Sequence, residues 1–591
     1  MKHLAQQHVL ILGLGLSGLA LARWCARCGA QVTVVDTRAA PPQLQALRET
    51  VPSARFVTSE MVADLVLGSD IRMVLKSPGL TPAAVAPVIE AAQAQGLPCG
   101  NELSLFAQAL ADLKETRGYA PQVIGITGTN GKTTVTSLAG QLVQRAGKSV
   151  AVAGNIGPTL LDTLAEKLDQ EPEPEAVSDA EPVPSNEPVD AADMSAQPPL
   201  DEQSAGEDAD SASVHEQDPD HESEGSTAEL AEDALSALVA PADDETAVIL
   251  PSAPPAVTVF HALPEVWVLE LSSFQLDGVS NFEPTVATVL NVTQDHLDWH
   301  GSLATYAAAK ARVYGHGLML LNRDDPLVMA AMPAPLPLVR GKQPRGRAYM
   351  TFGSDAPQRP GDYGIETVNG MAWLVRAAEA DETIKRRKGE EIELHVQRLM
   401  PVEALRIHGR HNATNALAAL ALAGAAGCGM AAMLHGLREY TGEPHRVASV
   451  AVIRDVEYFD DSKGTNVGAT VAALVGLGAE RKLVLIAGGD GKGQDFSPLA
   501  EPVRQHARAV ILIGRDAPAL RAALEATGVP LLDAASMEAA VAMAAHHAQT
   551  GDAVLMSPAC ASFDMFDNYE HRAQVFCQAV DALALDAGDM A

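Results

Sequence analysis

The stretch from Val123 to Val135 most constrains what this chain can fold into. An apolar, β-branched run enters a Gly-rich turn, and a helical pattern begins after Lys132 and two threonines. A strand that leads through such a turn into a helix presents backbone N–H groups and a helix N-terminus to one point, which suits phosphate. Lys132 can reach the β- and γ-phosphates, and Thr133 can bind Mg²⁺. The stretch therefore predicts an ATP site.

This turn is a variant of the familiar phosphate-binding pattern. Counting back from Gly131, the first position of G-x-x-x-x-G-K-[ST] falls on Ile126 and not on a glycine. A tight surface turn with an exposed lysine is the alternative, and the flanking strand and helix patterns argue against it. The residues of the turn predicted to bind ATP are Gly128, Thr129, Asn130, Gly131, Lys132, Thr133 and Thr134.

A second Gly-rich turn lies near the N-terminus. Residues 8 to 36 are predicted to form a strand, the turn Gly13-x-Gly15-x-x-Gly18, a helix and a second strand ending at Asp36. This is the layout of a Rossmann-like unit, with a phosphate at the helix N-terminus. From the residues alone NAD binding is the direct interpretation. Glycines that only allow close packing of strand and helix are the alternative.

Polar residues follow several of the later apolar runs. Glu270 ends one predicted strand, and Asp295 and His296 follow the next. An α/β sheet binds its ligands at these carboxyl ends of strands. The last part of the chain alternates strands and helices again, with strands predicted at 450–454, 483–487, 509–513 and 553–556.

The predicted fold class is α/β with three domains. In chain order these are a Rossmann-like N-terminal domain (1–99), a central P-loop-type ATPase domain (100–443) and a Rossmann-like C-terminal domain (444–591). The central domain carries a predicted disordered, acidic, low-complexity insertion at 168–262. From 168 to 250 it has 25 acidic residues and no lysine or arginine, so most of the formal charge of −33 is local.

Composition also limits location and partners. No basic patch suggests nucleic-acid binding, and no apolar run is long enough for membrane insertion. The N-terminal residues lack the layout of a signal peptide, and the six cysteines are scattered. We therefore expect a cytoplasmic protein with reduced thiols.

Five motifs occur in the order typical of the Mur ligase family. They are Gly128–Thr133, Leu269–Leu276, Asn291–Asp298, Gly409–Asn412 and Ser557–Asp564. The resemblance covers the chain except for about 168–262. The N-terminal glycines with Asp36 and Arg38, together with the Ser-Pro-Ala motif at Ser557, resemble the branch that adds D-glutamate to UDP-N-acetylmuramoyl-L-alanine in cytoplasmic peptidoglycan synthesis. One departure is Ala573 after Arg572, where the family commonly has glycine; it leaves the packing of the terminal helix open.

The resemblance implies ATP-dependent ligation through an acyl phosphate, and a UDP-sugar in place of NAD. We also expect the chain to act as a monomer. The implied UDP-substrate residues are Gly15, Leu16, Ser17, Asp36, Arg38, Ser77, Gly79 and Asn155. The implied D-glutamate residues are Lys463, Thr465, Ser562 and Tyr569. Beyond the turn, the implied ATP residues are Asn412, Asn415, Arg446 and Asp461.

Four residues are implied in catalysis: Lys132, Glu270, His296 and Lys310. Bringing two anions together, the γ-phosphate and a carboxylate, requires cations. The resemblance implies two Mg²⁺ ions held by Thr133, Glu270, His296 and a carbamylated Lys310. From residue type alone, we would expect Lys310 on its helix to be solvated and His296 to be a hydrogen-bonded structural histidine.

Other functions remain open. A different Mur-type ligase or a folylpolyglutamate-type ligase would differ in its substrates. An NAD-dependent oxidoreductase would leave the nucleotide turn unexplained, and a nucleotide-regulated scaffold would require a degenerate site. The insertion is either a tolerated surface loop or a docking segment for a cell-wall or division protein.

Overall fold

A computed structural model describes residues 3–172, 259–333, 347–380, 393–479 and 481–588. The predicted disordered insertion spans 168–262, and residues 173–258 of it lie outside these ranges. The described chain overlaps both ends of the predicted insertion, because a helix continues to Gln170 and the chain is described again from Val259. The α/β class is confirmed, since parallel sheets flanked by helices occur in all three predicted domains.

The first sheet is parallel, with strand order β3-β2-β1-β4-β5. Its strands are β1 (His8–Leu12), β2 (Gln31–Asp36), β3 (Arg55–Thr58), β4 (Met73–Lys76) and β5 (Cys99–Gly100). Its helices are α1 (Leu16–Arg27), α2 (Leu44–Thr50) and α3 (Pro82–Ala94). The strand order reverses at β1, which lies between β2 and β4, so the turns after β1 and β4 meet at a topological switch point.

The central domain begins with α4 (Glu102–Arg117) and contains a six-stranded parallel sheet of order β11-β10-β9-β6-β8-β7. Its strands are β6 (Gln122–Thr127), β7 (Val150–Gly154), β8 (Val266–Glu270), β9 (Val286–Val289), β10 (Leu318–Asn322) and β11 (Tyr349–Phe352). The next helices are α5 (Lys132–Arg145), α6 (Leu160–Gln170), α7 (Ser273–Leu276), α8 (Leu297–His300), α9 (Leu303–Ala311) and α10 (Pro326–Met329).

The register of this sheet positions the site. Ile126 of β6 is level with Glu270 of β8, and Thr127 is level with Val289 of β9. The nucleotide turn, Glu270 and the chain after β9 therefore meet at one edge, although 173–258 separate β7 from β8 in the sequence.

A three-stranded antiparallel sheet follows β11 in the described chain. Its strands are β12 (Tyr363–Val368), β13 (Met371–Glu379) and β14 (Leu394–Pro401). Two helices follow, α11 (Arg410–Ala425) and α12 (Met430–Glu439). The Ala-rich α11 is buried along most of its length in the same apolar core as α5, because its small side chains allow close approach.

The C-terminal sheet has the order β15-β16-β20-β17-β18-β19, and only the β15–β16 pair is antiparallel. Its strands are β15 (Ala448–Ile453), β16 (Val456–Asp460), β17 (Leu483–Gly488), β18 (Ala507–Ile513), β19 (Leu531–Asp533) and β20 (Ala553–Met556). Its helices are α13 (Val467–Gly478), α14 (Ala500–His506), α15 (Ala517–Leu524), α16 (Met537–His547) and α17 (Tyr569–Ala587). The four predicted strands are present, and β16 and β19 are additional. In the described chain, none of the helices combines the length and the apolar character needed to cross a bilayer.

Candidate active site

The nucleotide turn between β6 and α5 depends on glycine. Gly128 and Gly131 have φ values of 157° and 81°, which L side chains rarely adopt. The Nζ atom of Lys132 donates hydrogen bonds to the carbonyl oxygens of Gly128 (3.0 Å) and Thr129 (2.7 Å). Burial lowers the pKa of Lys132, and the nearby Glu270 carboxylate opposes that shift. The turn thus places a cation beside a row of backbone N–H groups.

Glu270 supplies a buried carboxylate to the same edge. Its side chain is 1% exposed, and Oε1 accepts a hydrogen bond from the Asn155 amide at 2.8 Å. Its Oε2 atom has no hydrogen-bond partner in the described structure. A buried carboxylate oxygen without a donor is costly and suits a cation. Asn155, predicted at the UDP-substrate, lies here beside Glu270.

The donor set fits Mg²⁺ better than a metal held by protein alone. Within the described residues, no group of three or more His, Cys, Asp or Glu side chains could hold a metal ion. Mg²⁺ is usually bound through one or two carboxylates together with substrate phosphates and water. Glu270, which has an unpartnered carboxylate oxygen, and Thr133, which has a hydroxyl, line one cavity and supply that kind of partial set.

Lys310 lies inside the protein, whereas residue type alone favours a solvated side chain. It is 1% exposed on α9, and its Nζ atom donates to the carbonyl oxygen of Gly128 at 2.8 Å. Its Nζ also lies 4.4 Å from the centre of the Tyr306 ring. Burial lowers its pKa well below the usual value, and the positive charge of Lys132 adds to that effect. Both effects favour the neutral, nucleophilic form of the amine over the charged form.

His296 occupies a strained position before α8. Its φ value of 52° is unusual for a residue other than glycine, and such strain often marks a functional site. The imidazole packs edge-on against Phe274, with ring centroids 4.8 Å apart, and lies 3.6 Å from Asp295. Burial lowers the pKa of His296, although Asp295 opposes this. A neutral imidazole can offer a lone pair to a metal.

A cavity next to the nucleotide turn brings together several of the predicted ATP residues. A Cβ atom on Gly131 would lie 2.8 Å from Oδ1 of Asn415, so the turn and α11 are in close contact. The Asn415 amide in turn donates to Oδ1 of Asn412 at 3.1 Å. The predicted ATP residues that line this cavity are Asn130, Gly131, Thr134, Asn412, Asn415, Arg446 and Asp461.

The C-terminal domain contributes two of those residues. The guanidinium of Arg446 donates to the Thr133 hydroxyl at 2.6 Å, across 313 residues of sequence. Asp461 is 6% exposed and accepts a hydrogen bond from the Ser557 hydroxyl at 2.7 Å. Burial raises the pKa of Asp461 to about 7. Residues predicted to bind ATP are thus brought together from two of the predicted domains.

A second cavity joins the nucleotide turn to the C-terminal domain. It is lined by Lys132, Thr133, Asn155, Glu270, His445, Arg446, Lys463 and Tyr569, among others. The Nζ atom of Lys463 lies 3.5 Å from the centre of the Tyr569 ring. Of the four predicted D-glutamate residues, Lys463 and Tyr569 line this cavity. Thr465 lies in the loop after β16, and Ser562 is 3% exposed in the loop after β20.

The N-terminal turn forms a separate part of the site. A Cβ on Gly18 would lie 2.1 Å from the carbonyl oxygen of Gly13, so glycine is required there. The Asp36 carboxylate accepts hydrogen bonds from the Leu14 backbone N–H at 2.8 Å and from the Arg38 guanidinium through both oxygens at 2.9 Å. The Arg38 hydrogen bonds lower the pKa of Asp36 to about 2. Ser77 borders the same turn, with its Oγ 3.8 Å from a Cβ built on Gly15.

Sequence reasoning missed two supporting contacts. Nδ1 of His445 lies 2.6 Å from Oδ2 of Asp460 at the rim of the second cavity. The fully buried Arg572 of α17 donates to the carbonyl oxygens of Ser462 (2.8 Å) and Cys560 (3.1 Å), and so ties together the loops after β16 and β20. Ala573 is buried in the same helix, so the terminal helix packs without the usual glycine. No local sequence pattern predicts either contact.

Comparison with known protein families gives three matches that together cover most of the described chain. The model of the Mur ligase MurD-like N-terminal domain matches residues 7–100. That of the Mur ligase middle domain matches 126–177 and 257–423. That of the Mur ligase glutamate ligase domain matches 445–560. The break in the middle match falls at the insertion.

Curated relatives align over the whole chain. A protein from Albidiferax ferrireducens named UDP-N-acetylmuramoylalanine--D-glutamate ligase is 58% identical, covering 100% of this chain and 98% of its own. Proteins of the same name from Polaromonas sp. (53% identical, 100% of both chains) and Ralstonia nicotianae (49% identical, 99% of both chains) are also similar. With this identity over its full length, and with the nucleotide turn, Glu270 and the two domain-spanning cavities in place, the chain belongs to the Mur ligase family.

Proposed function

We propose that this chain joins D-glutamate to UDP-N-acetylmuramoyl-L-alanine, with ATP converted to ADP and phosphate, in peptidoglycan precursor synthesis. The ATP-dependent part of this reaction is supported by one observation: Lys132, Thr133, Glu270 and Lys463 line the same cavity. The substrate pair is supported by relatives whose names state it and which align over the whole chain.

Amide formation from a carboxylate requires that the carboxylate first be activated. In the proposed reaction an oxygen of the L-alanine carboxylate of the UDP-substrate attacks the γ-phosphorus of ATP. This step gives an acyl phosphate and ADP. The Lys132 ammonium and the N–H groups of the turn would offset the negative charge of the transferred phosphoryl group. The uncharged amine of D-glutamate, held beside Lys463 and Tyr569, would then attack the acyl carbon and release phosphate.

Thr133, Glu270, His296 and Lys310 are the residues proposed to hold Mg²⁺, with two ions in the complete site. Bound Mg²⁺ would neutralise charge on the phosphates and the substrate carboxylate. Support comes from the buried Glu270 oxygen that has no donor in the described structure.

Lys310 is proposed to be carbamylated. Its neutral amine would attack CO₂, forming an N–C bond and releasing a proton, so a cation would become an anionic oxygen ligand. Its burial, its lowered pKa and its place beside the nucleotide turn support this modification. Carbamylation would also remove the repulsion between Lys310 and Lys132.

The N-terminal turn is proposed to bind the UDP part of the substrate through Gly15, Leu16, Ser17, Asp36, Arg38, Ser77 and Gly79. The contacts of Asp36 favour this over NAD. Its two oxygens already accept hydrogen bonds from Leu14 and Arg38, whereas dinucleotide binding uses this acid for the ribose hydroxyls. We further propose that the chain acts as a cytoplasmic monomer, because one chain supplies both cavities.

The test is phosphate release from ATP in the presence of UDP-N-acetylmuramoyl-L-alanine. D-glutamate is compared with L-glutamate, L-lysine and meso-diaminopimelate, and a folate acceptor replaces the UDP-sugar in a parallel assay. Release that requires both the UDP-sugar and D-glutamate is expected. Release with another amino acid would place the chain in another branch of the family, and no release with any substrate would favour a nucleotide-regulated scaffold.

A further inference from the structure

The nucleotide turn touches the C-terminal domain through two asparagines that face each other. Nδ2 of Asn466 donates to Oδ1 of Asn130 at 3.0 Å, and Nδ2 of Asn130 lies 3.3 Å from Oδ1 of Asn466. The two residues are 336 positions apart in the sequence. Each amide thus serves the other as donor and acceptor, which fixes their relative orientation in a way that a single hydrogen bond does not.

Each asparagine is also held by its own domain. The backbone N–H of Asn130 donates to Oδ1 of Asn291 at 2.8 Å, and the Asn291 amide donates back to the carbonyl oxygen of Asn130 at 3.1 Å. Asn466 is the N-cap of α13, where its Oδ1 accepts from the Ala469 N–H at 2.9 Å. The backbone of Asn130 and the side-chain amide of Asn466 are therefore each held by their own domain at the interface.

The first turn of α13 lies directly against the nucleotide turn. A Cβ on Gly468 would lie 2.7 Å from Oγ1 of Thr293 and 3.2 Å from Nδ2 of Asn130. Any larger side chain at Gly468 would push the two surfaces apart. Glycine is otherwise unfavourable inside a helix, so its presence here is explained by the close contact.

We infer that the Asn130–Asn466 pair is a positioning contact that couples the ATP site to the amino-acid site. Asn466 directly follows the loop that carries Lys463 and Thr465, so a shift of the nucleotide turn is transmitted to that loop within one residue. The inference rests on the proposed function only in taking these two places as the ATP and D-glutamate sites. By linkage, each ligand then strengthens the binding of the other by the same factor.

The experiment measures affinity for an ATP analogue with a non-hydrolysable β–γ bridge, with Mg²⁺ and the UDP-substrate present, with and without D-glutamate. The ratio of the two dissociation constants is the coupling factor. In the unmodified protein D-glutamate is expected to tighten analogue binding by on the order of tenfold. Asn466→Ser, which retains a capping oxygen, is expected to bring the ratio close to one. Asn130→Ala should do the same, and the double variant should add nothing.

Two further variants separate the contact from general damage. Gly468→Ala keeps both amides and favours the helix, yet it inserts a methyl group at the contact and is expected to lower the ratio as well. Ser536→Asn exchanges one capping residue for another at the N-cap of α16, which lines neither cavity, and should leave the ratio unchanged. An unchanged ratio in Asn466→Ser or Gly468→Ala, or a ratio of one in the unmodified protein, overturns the inference. Failure of the unmodified protein to bind the analogue at all contradicts the proposed function instead.

Discussion

The Nζ atom of Lys310 lies 2.8 Å from the carbonyl oxygen of Gly128, the first glycine of the nucleotide turn. Lys310 of α9 therefore shares this carbonyl oxygen with Lys132, whose Nζ atom also donates a hydrogen bond to it. Burial disfavours the charge on Lys310, and repulsion by the Lys132 ammonium at the same carbonyl adds to that effect. The pair therefore favours a neutral Lys310 amine, which is the form that reacts with CO₂.

Replacing Lys310 with alanine is expected to lower kcat by about 10³-fold, because the anionic ligand formed on its amine is lost. Bicarbonate should restore part of the activity, since a small anion can enter the space left by the side chain. Lys310→Arg serves as the control, because it keeps a cation and cannot be carbamylated in the same way. A signal from isotopically labelled CO₂ on the unmodified protein, absent in both variants, would report the carbamate. Full activity of Lys310→Ala would exclude the modification from the mechanism.

Glu270→Gln tests the carboxylate that has an unpartnered oxygen. The amide retains the shape of the side chain but loses the charge, so we expect kcat to fall by about 10²-fold and the Mg²⁺ requirement to rise. The measurement is phosphate release as a function of Mg²⁺ concentration. Glu265→Gln, immediately before the same strand and largely exposed, is the matched control and should show neither effect. An unchanged Mg²⁺ dependence in Glu270→Gln would remove this residue from the metal site.

Asp461 predicts a pH dependence of stability. Its pKa rises from 3.8 to about 7 on burial, so the folded protein binds a proton that the unfolded chain releases between those two values. The free energy of unfolding therefore falls as the pH rises through that interval, and the loss persists above it. Asp461→Asn removes this penalty and keeps an acceptor for Ser557. Its melting temperature, relative to the unmodified protein without nucleotide, should be higher at about pH 8 than at about pH 5. A difference that does not change with pH would contradict the raised pKa.

The Asp36–Arg38 pair predicts which nucleotide binds the N-terminal turn. With both Asp36 oxygens occupied by Arg38 and the Leu14 N–H, we expect UDP to bind and NADH to show no fluorescence change on mixing with the protein. Arg38→Ala should weaken UDP binding by on the order of tenfold, since a charged hydrogen-bonding group is lost. Equilibrium dialysis with UDP gives the measurement. Saturable NADH binding that UDP displaces would revive the oxidoreductase interpretation.

The ends of the insertion predict that its deletion is tolerated. The Glu171 carboxylate accepts hydrogen bonds from the backbone N–H groups of His261 (2.9 Å), Ala262 (2.7 Å) and Leu263 (2.7 Å). These bonds hold the two ends together, so replacing 173–257 with a short Gly/Ser linker should leave kcat and the KM values within about twofold. Glu171→Gln in the shortened protein should lower its melting temperature. Normal kinetics combined with a growth defect in cells would instead support a docking role for the insertion.

The sequence predicted the parts of the site that depend on local order. The nucleotide turn and Glu270 stand at the ends of apolar runs, and the edge of a parallel sheet brings such ends together. The burial of Lys310 was not predictable from residue type, because its Ala-rich helix has no strong polar face. The hydrogen bond between Arg446 and Thr133 joins two domains. The hydrophobic pattern of neither segment predicts that contact. Strand β19, at 3 residues, is too short to show the apolar alternation on which strand prediction depends.

The pairing of β8 has a practical consequence. Its residues are bonded on one side to β6 and on the other to β7, so the place of Glu270 is fixed by its neighbours and not by the length of chain that precedes it. The junction between α6 and β8 is therefore a suitable site for inserting another protein module. A fluorescent reporter or an affinity module fused there would join the sheet at the N-terminal end of β8, opposite to the edge that holds Glu270, and would therefore leave the catalytic edge open to its ligands.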